Sequence, residues 1–344
     1  TRLIDRAGLG TIDFDHKFVA IKIHFGEMGN LAYLRPQYAR ALAAYIKERG
    51  GLPFLTDCNT LYVGSRKNAL EHIETAYING YTPYATGCQV IIADGVRGTD
   101  EAYIPIGCEE VKTAKIGRAI ADADIIISLN HFKGHEDAGF GGALKNLGMG
   151  SGSRAGKMEM HYDGKPVVDR DRCRGCLKCA TICANNGIHY ENSKAVIDHD
   201  NCVGCGRCIA ICSFDAIKPH NSSSAASLNR RIAEYAYAVV KDKPNFHISI
   251  AADISPNCDC HPENDAPIVP NIGMFASFDP VAIDLAAADA VNAMPANPRS
   301  ALSEAECRCH DHFINVHPNT NWRVQIEHGE EIGLGSSEYE LIRI

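Results

Sequence analysis

Eight of the fifteen cysteines in this 344-residue chain fall into two identical runs. Cys173, Cys176, Cys179 and Cys183 are spaced Cys-x-x-Cys-x-x-Cys-x-x-x-Cys, and Cys202, Cys205, Cys208 and Cys212 repeat the pattern. Thiolates at such intervals hold metal. Three on a tight loop grip one centre, and the fourth, a helical turn further on, faces across to a second. A disulfide framework is not expected in so long a chain without an apolar leader behind Thr1 to Arg6. Two zinc sites are the alternative, but zinc knuckles pair as Cys-x-x-Cys rather than as three plus one.

A second constellation lies upstream, in Asn130-His131-Phe132-Lys133-Gly134-His135 and Ala138-Gly139-Phe140-Gly141-Gly142-Ala143-Leu144-Lys145, followed by Arg154, Lys157 and His161. Glycines let backbone approach a ligand closely, and here Gly139, Gly141 and Gly142 are the candidates, with Lys133 and Arg154, for contacts to a bound cofactor or anion. His131, His135, Lys145 and His161 are the candidate catalytic groups, since a neutral imidazole serves as base or metal ligand and an amine as nucleophile. A phosphate loop is excluded in detail: around Gly156-Lys157, Ser151 stands at the first glycine position and Met158 at the Ser/Thr position. A dinucleotide fingerprint fails as well, with Leu144 and Ser153 at its last glycine positions. Cys258-Asp-Cys260-His261 and Cys307-Arg-Cys309-His310 form a third, doubled motif. Cys258 and Cys260 are candidate metal ligands, with Cys307 and Cys309 able to complete a zinc site or a further cluster. Cys58, Cys88 and Cys108 stand alone and read as core residues.

The doubled eight-cysteine pattern resembles bacterial two-cluster ferredoxins, down to Gly204-Cys205-Gly206 and Asp215-Ala216-Ile217. That resemblance implies two 4Fe–4S clusters, one on Cys173, Cys176, Cys179 and Cys212, the other on Cys202, Cys205, Cys208 and Cys183. Ala184 and Ser213 stand where proline usually follows the fourth cysteine, a loss of rigidity that leaves ligation intact. Across nearly the whole chain, the segment with Asp57 and Tyr62, the glycine loop, Cys258 to Cys260 and Gly273 to Asp284 look like an uncharacterised prokaryotic family that often carries a ferredoxin domain. More locally, His135, Ala138 to Gly142, Lys145 and His161 resemble the site of nickel-pincer lactate racemases. In that family the lysine tethers an organic nickel cofactor and the last histidine binds nickel, so the resemblance implies those roles for Lys145 and His161.

The elements that must position these groups alternate. Strand signals occur at 18–23, 53–56, 90–93, 125–129 and 246–252, and helical patterns at 31–49, 112–123 and from Leu228 through Val239, with another helix opened by Asp279-Pro280. Strands alternating with helices imply an α/β fold, a mostly parallel sheet with helices on both faces. The pattern breaks at the cysteines and then resumes. The chain therefore reads as an α/β body in two segments, 1–165 and 221–344, with a ferredoxin-like domain inserted at 166–220. Sites in such sheets lie at the carboxyl ends of strands, where the glycine loop begins and where Asp57, Asp94 and Asp253 also fall.

Composition narrows the function. The net charge of −8 and the lack of a strongly basic segment argue against nucleic acid as a partner, and no apolar run approaches a membrane span of about 20 residues. The sequence thus implies a cytoplasmic iron–sulfur electron-transfer protein of anaerobic type, an oxidoreductase passing electrons to or from a site at residues 130–161. Its partners would be a redox protein or a small electron donor or acceptor, with an anionic ligand at the cationic loop. The rival expectations are a non-catalytic carrier or cluster-assembly partner, and a racemase-like enzyme with a nickel cofactor and auxiliary clusters.

Overall fold

A computed structural model describes residues 1–62, 64–162, 165–219 and 224–344. The chain forms β1 (Phe18–Lys22), helix α1 (Pro36–Lys47), β2 (Leu52–Asp57), α2 (Ala69–Ile78), β3 (Gln89–Ile92) and β4 (Ile125–His131). There follow a tight hairpin, β5 (Lys133–His135) and β6 (Gly139–Gly141), and two helices, α3 (Ala143–Ser151) and α4 (Arg154–Tyr162). After the cysteine-rich segment come α5 (Ala225–Val240), β7 (Asn245–Ala251), β8 (Gly273–Ser277) and α6 (Pro280–Asn292). Six strands make one sheet in the order β8-β7-β4-β1-β2-β3, parallel throughout except for the edge strand β8.

Both faces of the sheet are covered, which is why its strands read as apolar runs rather than as alternation. Val19, Ile21, Leu55, Ile125, Ile127, Phe246 and Ile248 face one core, closed by Leu42, Tyr45 and Ile46 of α1. Ala20, Phe54 and Ile126 face the other, closed by Leu144 and Leu147 of α3 and Ile232, Tyr235 and Val239 of α5. Each such aliphatic side chain stabilises the fold by about 1.5–3 kcal/mol. Helices α3 and α5 touch at Gly148, where a Cβ would stand 2.1 Å from the Ile232 carbonyl oxygen. Sequence caps fix the ends: Asn68 accepts from the Leu70 and Glu71 amides, and Asp279 from those of Val281 and Ala282.

The helix expected over 112–123 is only half present. Thr113–Gly117 is a strand paired antiparallel with Glu101–Pro105, and only Arg118–Asp122 is helical. The Ile116, Ile120, Ala123 spacing mimics a helix, but Ala114 and Ile116 are both buried, which pairing with a partner strand satisfies. The first helix is also shorter than its pattern, since Pro36 sets its start.

Strands β4 and β7 are direct neighbours although the cysteine-rich segment lies between them in the chain. That segment begins and ends in one antiparallel pair, Pro166–Val168 with Ile217–Pro219. Inside it lie a hairpin, Ile188–Glu191 with Lys194–Ile197, and two short helices, Lys178–Ile182 and Arg207–Ile211. Its small core gathers Cys173, Cys179, Cys208, Ile209 and Ile217 with Leu61 and Met158 from outside it. Among the described residues, no helix is long and apolar enough to cross a membrane.

Candidate functional site

The two cysteine runs have the same backbone. Gly175 and Gly204 take φ of 65° and 69°, and Leu177 and Gly206 take 66° and 65°. Leucine tolerates this left-handed position in the first run, whereas in the second a Cβ on Gly206 would lie 2.7 Å from Arg154 Cγ. Cys173, Cys176, Cys179 and Cys212 line one small cavity, together with Tyr190, Phe214 and Ile217. The Ala195 and Ala216 amides donate to the Cys173 and Cys212 sulfurs at 3.4 and 3.3 Å, and Gly187 donates to Cys183 at 3.3 Å. Burial first, with the neighbouring thiols of Cys205 and Cys183, pushes the Cys202 thiol up, although the Gly204 amide opposes it. Cys208 is pushed to about 12 by burial and then by Cys205 and Cys202. The fourth cysteine of each run thus keeps company with the other run.

A second cavity opens at the carboxyl ends of β1, β2 and β4. Its lining includes His131, Lys133, His135, Gly141, Gly142, Lys145, Cys258 and Cys260 from the sequence candidates, with Lys22, Asp57 and Lys157. Lys22 ends β1 and donates to Asp57 Oδ1 at 2.9 Å and to Asn146 Oδ1 at 2.9 Å. Burial would push the Asp57 carboxyl up, but the Lys22 ammonium, with His72 and His24, holds it well below the usual carboxylate range. Arg66 pairs with Glu27 at 3.0 Å and approaches Asp57 at 3.9 Å. A charged floor therefore lies under the cavity.

His131 ends β4 with Nδ1 2.9 Å from an Asp259 carboxylate oxygen and Nε2 2.8 Å from the Ala252 carbonyl oxygen. The ring is thus held from both sides, by a carboxylate and by a backbone carbonyl. Its place is to hold Asp259, which Lys133 approaches at 3.5 Å. His135 differs. Its Nδ1 accepts from the Asp137 and Ala138 amides at 3.0 and 3.2 Å, which fixes the plane of the ring. The His135 ring nitrogen and the Cys258 and Cys260 sulfurs all lie within 4.8 Å of one another. Lys145, in the first turn of α3, has its Nζ 4.0 Å from Cys258 Sγ. The proton shared with Cys260, aided by the Lys145 and Lys133 charges, holds the Cys258 thiol well below its usual range despite burial, and pushes Cys260 up. At the rim, His261 Nε2 donates to Glu136 Oε1 at 2.8 Å, and that pairing raises His261 to about 9.

His161 is buried near the end of α4, its Nε2 2.8 Å from the hydroxyl of Tyr62, a residue that lines the cavity. Burial, then the Lys145 and His135 charges, pull it down to about 3, so it stays neutral. His135 and Lys145 line the cavity, whereas His161 does not and meets its lining through the Tyr62 hydroxyl. Arg154 and Gly139 do not line it. Arg154 donates to the carbonyls of Arg97, Thr60 and Lys67, and Gly139, with φ of 87°, packs against Trp322. Gly142 makes room for protein rather than ligand: a Cβ there would meet Asp284 Oδ1 at 2.3 Å, and Asp284 caps α3 through the Ala143 and Leu144 amides. Cys307 and Cys309 are exposed and join no ligand grouping among the described residues. Lys22, Glu136 and Arg66 were not singled out from sequence. A lysine closing the apolar strand Phe18-Val-Ala-Ile was the available signal. Another cavity, of about 860 Å³ between Arg2, Phe275 and Ile344, is lined by no thiol or imidazole.

A mostly parallel α/β sheet with a thiol–imidazole cavity at its carboxyl edge and a cysteine-rich excursion between adjacent strands defines the class. The chain belongs to the family described as Domain of unknown function (DUF362), which matches residues 19–289. A comparison with curated proteins finds no match. Among solved structures, the chain is similar to the lactate racemase apoprotein from Thermoanaerobacterium thermosaccharolyticum, at 12% identity over 80% of this chain and 51% of that one, TM-score 0.41. A protein from Thermotoga maritima is similar at 13% identity over 72% of this chain and 48% of that one, TM-score 0.37. The chain spans about half the length of each. At such scores neither likeness carries a statement about chemistry.

Proposed function

We propose that the chain is an iron–sulfur redox protein: residues 166–220 form an inserted domain holding two 4Fe–4S clusters, and the carboxyl-end cavity of the body exchanges electrons with them. The observation that carries this reading is the crossing of the fourth cysteines, Cys212 into the cavity of the first run and Cys183 beside Cys202. The donor set fits such groups. Backbone amides aimed at Cys173, Cys183 and Cys212 stabilise thiolate sulfur. Among the described residues, no three of these eight sulfurs close to within 4.8 Å, as a tetrahedral zinc site requires. When bound, the clusters supply one-electron transfer.

The chain's own residues supply the rest. Lys67 pairs with Asp215, and Arg154 packs on Gly206, so the segment is seated against the body. Helix α4 bridges the two regions, with Met158 in the cysteine core and Lys157 lining the cavity. Lys133, Lys145 and Lys157 make that cavity suit an anionic small molecule. The test is iron and sulfide content of anaerobically purified protein, with EPR after dithionite reduction. About eight irons and a spin-coupled spectrum are expected. Four irons, or a diamagnetic zinc protein, would refute the reading.

A further inference from the structure

We infer that the carboxyl-end cavity is itself a metal site, in which His135, Cys258 and Cys260 bind one zinc-class divalent ion and leave a fourth position open. This goes beyond the eight-cysteine reading and stands or falls separately from it. The three donor atoms already lie within 4.8 Å of one another, close to what a single tetrahedral ion needs. Two thiols and one imidazole are a soft set that prefers zinc-class ions over magnesium or calcium. Three protein ligands are also the number that a catalytic rather than a structural zinc site keeps.

The surroundings are built to hold these donors. The Asp137 and Ala138 amides donate to His135 Nδ1 at 3.0 and 3.2 Å and fix the ring beside the two sulfurs. Gly134 brings the two segments into backbone contact: its amide donates to the Ser255 carbonyl at 2.9 Å, and a Cβ would stand 2.1 Å from the Pro256 oxygen. Between the cysteines, Asp259 is turned to the His131 imidazole, so the residues on either side of it send their sulfurs the same way. Lys145 brings a cation beside this donor set, its Nζ 4.0 Å from Cys258 Sγ.

The experiment uses the full chain, purified anaerobically with its iron, incubated with zinc sulfate and dialysed. Zinc and iron are counted together, and zinc K-edge absorption reads the first shell. One retained zinc is expected, with two sulfurs at about 2.3 Å and light atoms at about 2.0–2.1 Å. The Cys258→Ser/Cys260→Ser protein should lose at least nine-tenths of that zinc with its iron unchanged, and Cys307→Ser/Cys309→Ser should lose none. No retained zinc, a four-sulfur shell, or full retention by Cys258→Ser/Cys260→Ser overturns the inference. If that variant fails to fold, the wild-type spectrum still decides. Loss of the iron reading with the two-sulfur zinc intact would sink the cluster proposal alone.

Discussion

Replacing His161 with glutamine should change how stability responds to acid. The wild-type ring is buried and held at about 3, against an ordinary value of 6.5. Between those values the unfolded chain binds a proton that the native state refuses, so this histidine makes stability fall as the pH drops through 6.5. From pH 7 to pH 5 the loss is about 1.36 kcal/mol for each of roughly 1.5 units, or about 2 kcal/mol. Asp94 and Asp284, raised to about 6 and about 7 chiefly by burial, titrate in the opposite sense. They are common to both proteins, so the difference between wild type and His161→Gln isolates the one ring. Glutamine can still bond the Tyr62 hydroxyl. Urea denaturation followed through Trp322, the single tryptophan and fully buried, reads the body directly. With a slope of about 3 kcal/mol/M, the variant's midpoint should gain about 0.7 M on wild type between pH 7 and pH 5. His247→Gln, at a buried histidine also held at about 3 but in β7, should behave alike. A constant gap between wild type and His161→Gln across that range would refute the reasoning, because the ring would then be charged or solvated in the fold.

Other outcomes follow from the geometry. Cys212→Ser should remove about four irons and abolish spin coupling, as Cys183→Ser should for the other quartet; iron assay and EPR check both. Gly142→Ala should lower stability by about 2–4 kcal/mol in thermal denaturation, since its Cβ would stand 2.3 Å from the capping Asp284, while Gly141→Ala meets nothing closer than the Lys133 amine at 3.3 Å and should be mild. Lys22→Met leaves the Asp57 carboxylate buried and should cost about 3–5 kcal/mol by urea denaturation, with Lys22→Met/Asp57→Asn recovering part of it.

The sheet was legible because its strands are buried on both faces and read as apolar runs, and because Asn68 and Asp279-Pro280 mark helix starts. Residues 112–123 were not legible, since the partner that makes Thr113–Gly117 a strand lies in a separate run. Sequence spacing found the thiols and His135, but it could not separate His131 from His135. That distinction rests on what each ring nitrogen meets, a carboxylate and a carbonyl in one case and two amides in the other. Likewise Arg154 looked like a ligand contact because of its charge and its loop, yet its guanidinium is spent on three backbone carbonyls.

The short ladder between Pro166–Val168 and Ile217–Pro219 has an evolutionary consequence. The whole cysteine-rich excursion leaves and rejoins the body at adjacent points, so a change in its length need not displace the strands that flank it. A lineage can lengthen it, replace it or delete it down to a hairpin without changing the neighbour of any strand in the six-stranded sheet. Length differences among relatives should therefore concentrate between those two strands. The β4–β7 pairing, formed by residues on either side of the excursion, should persist in relatives with and without the cysteines.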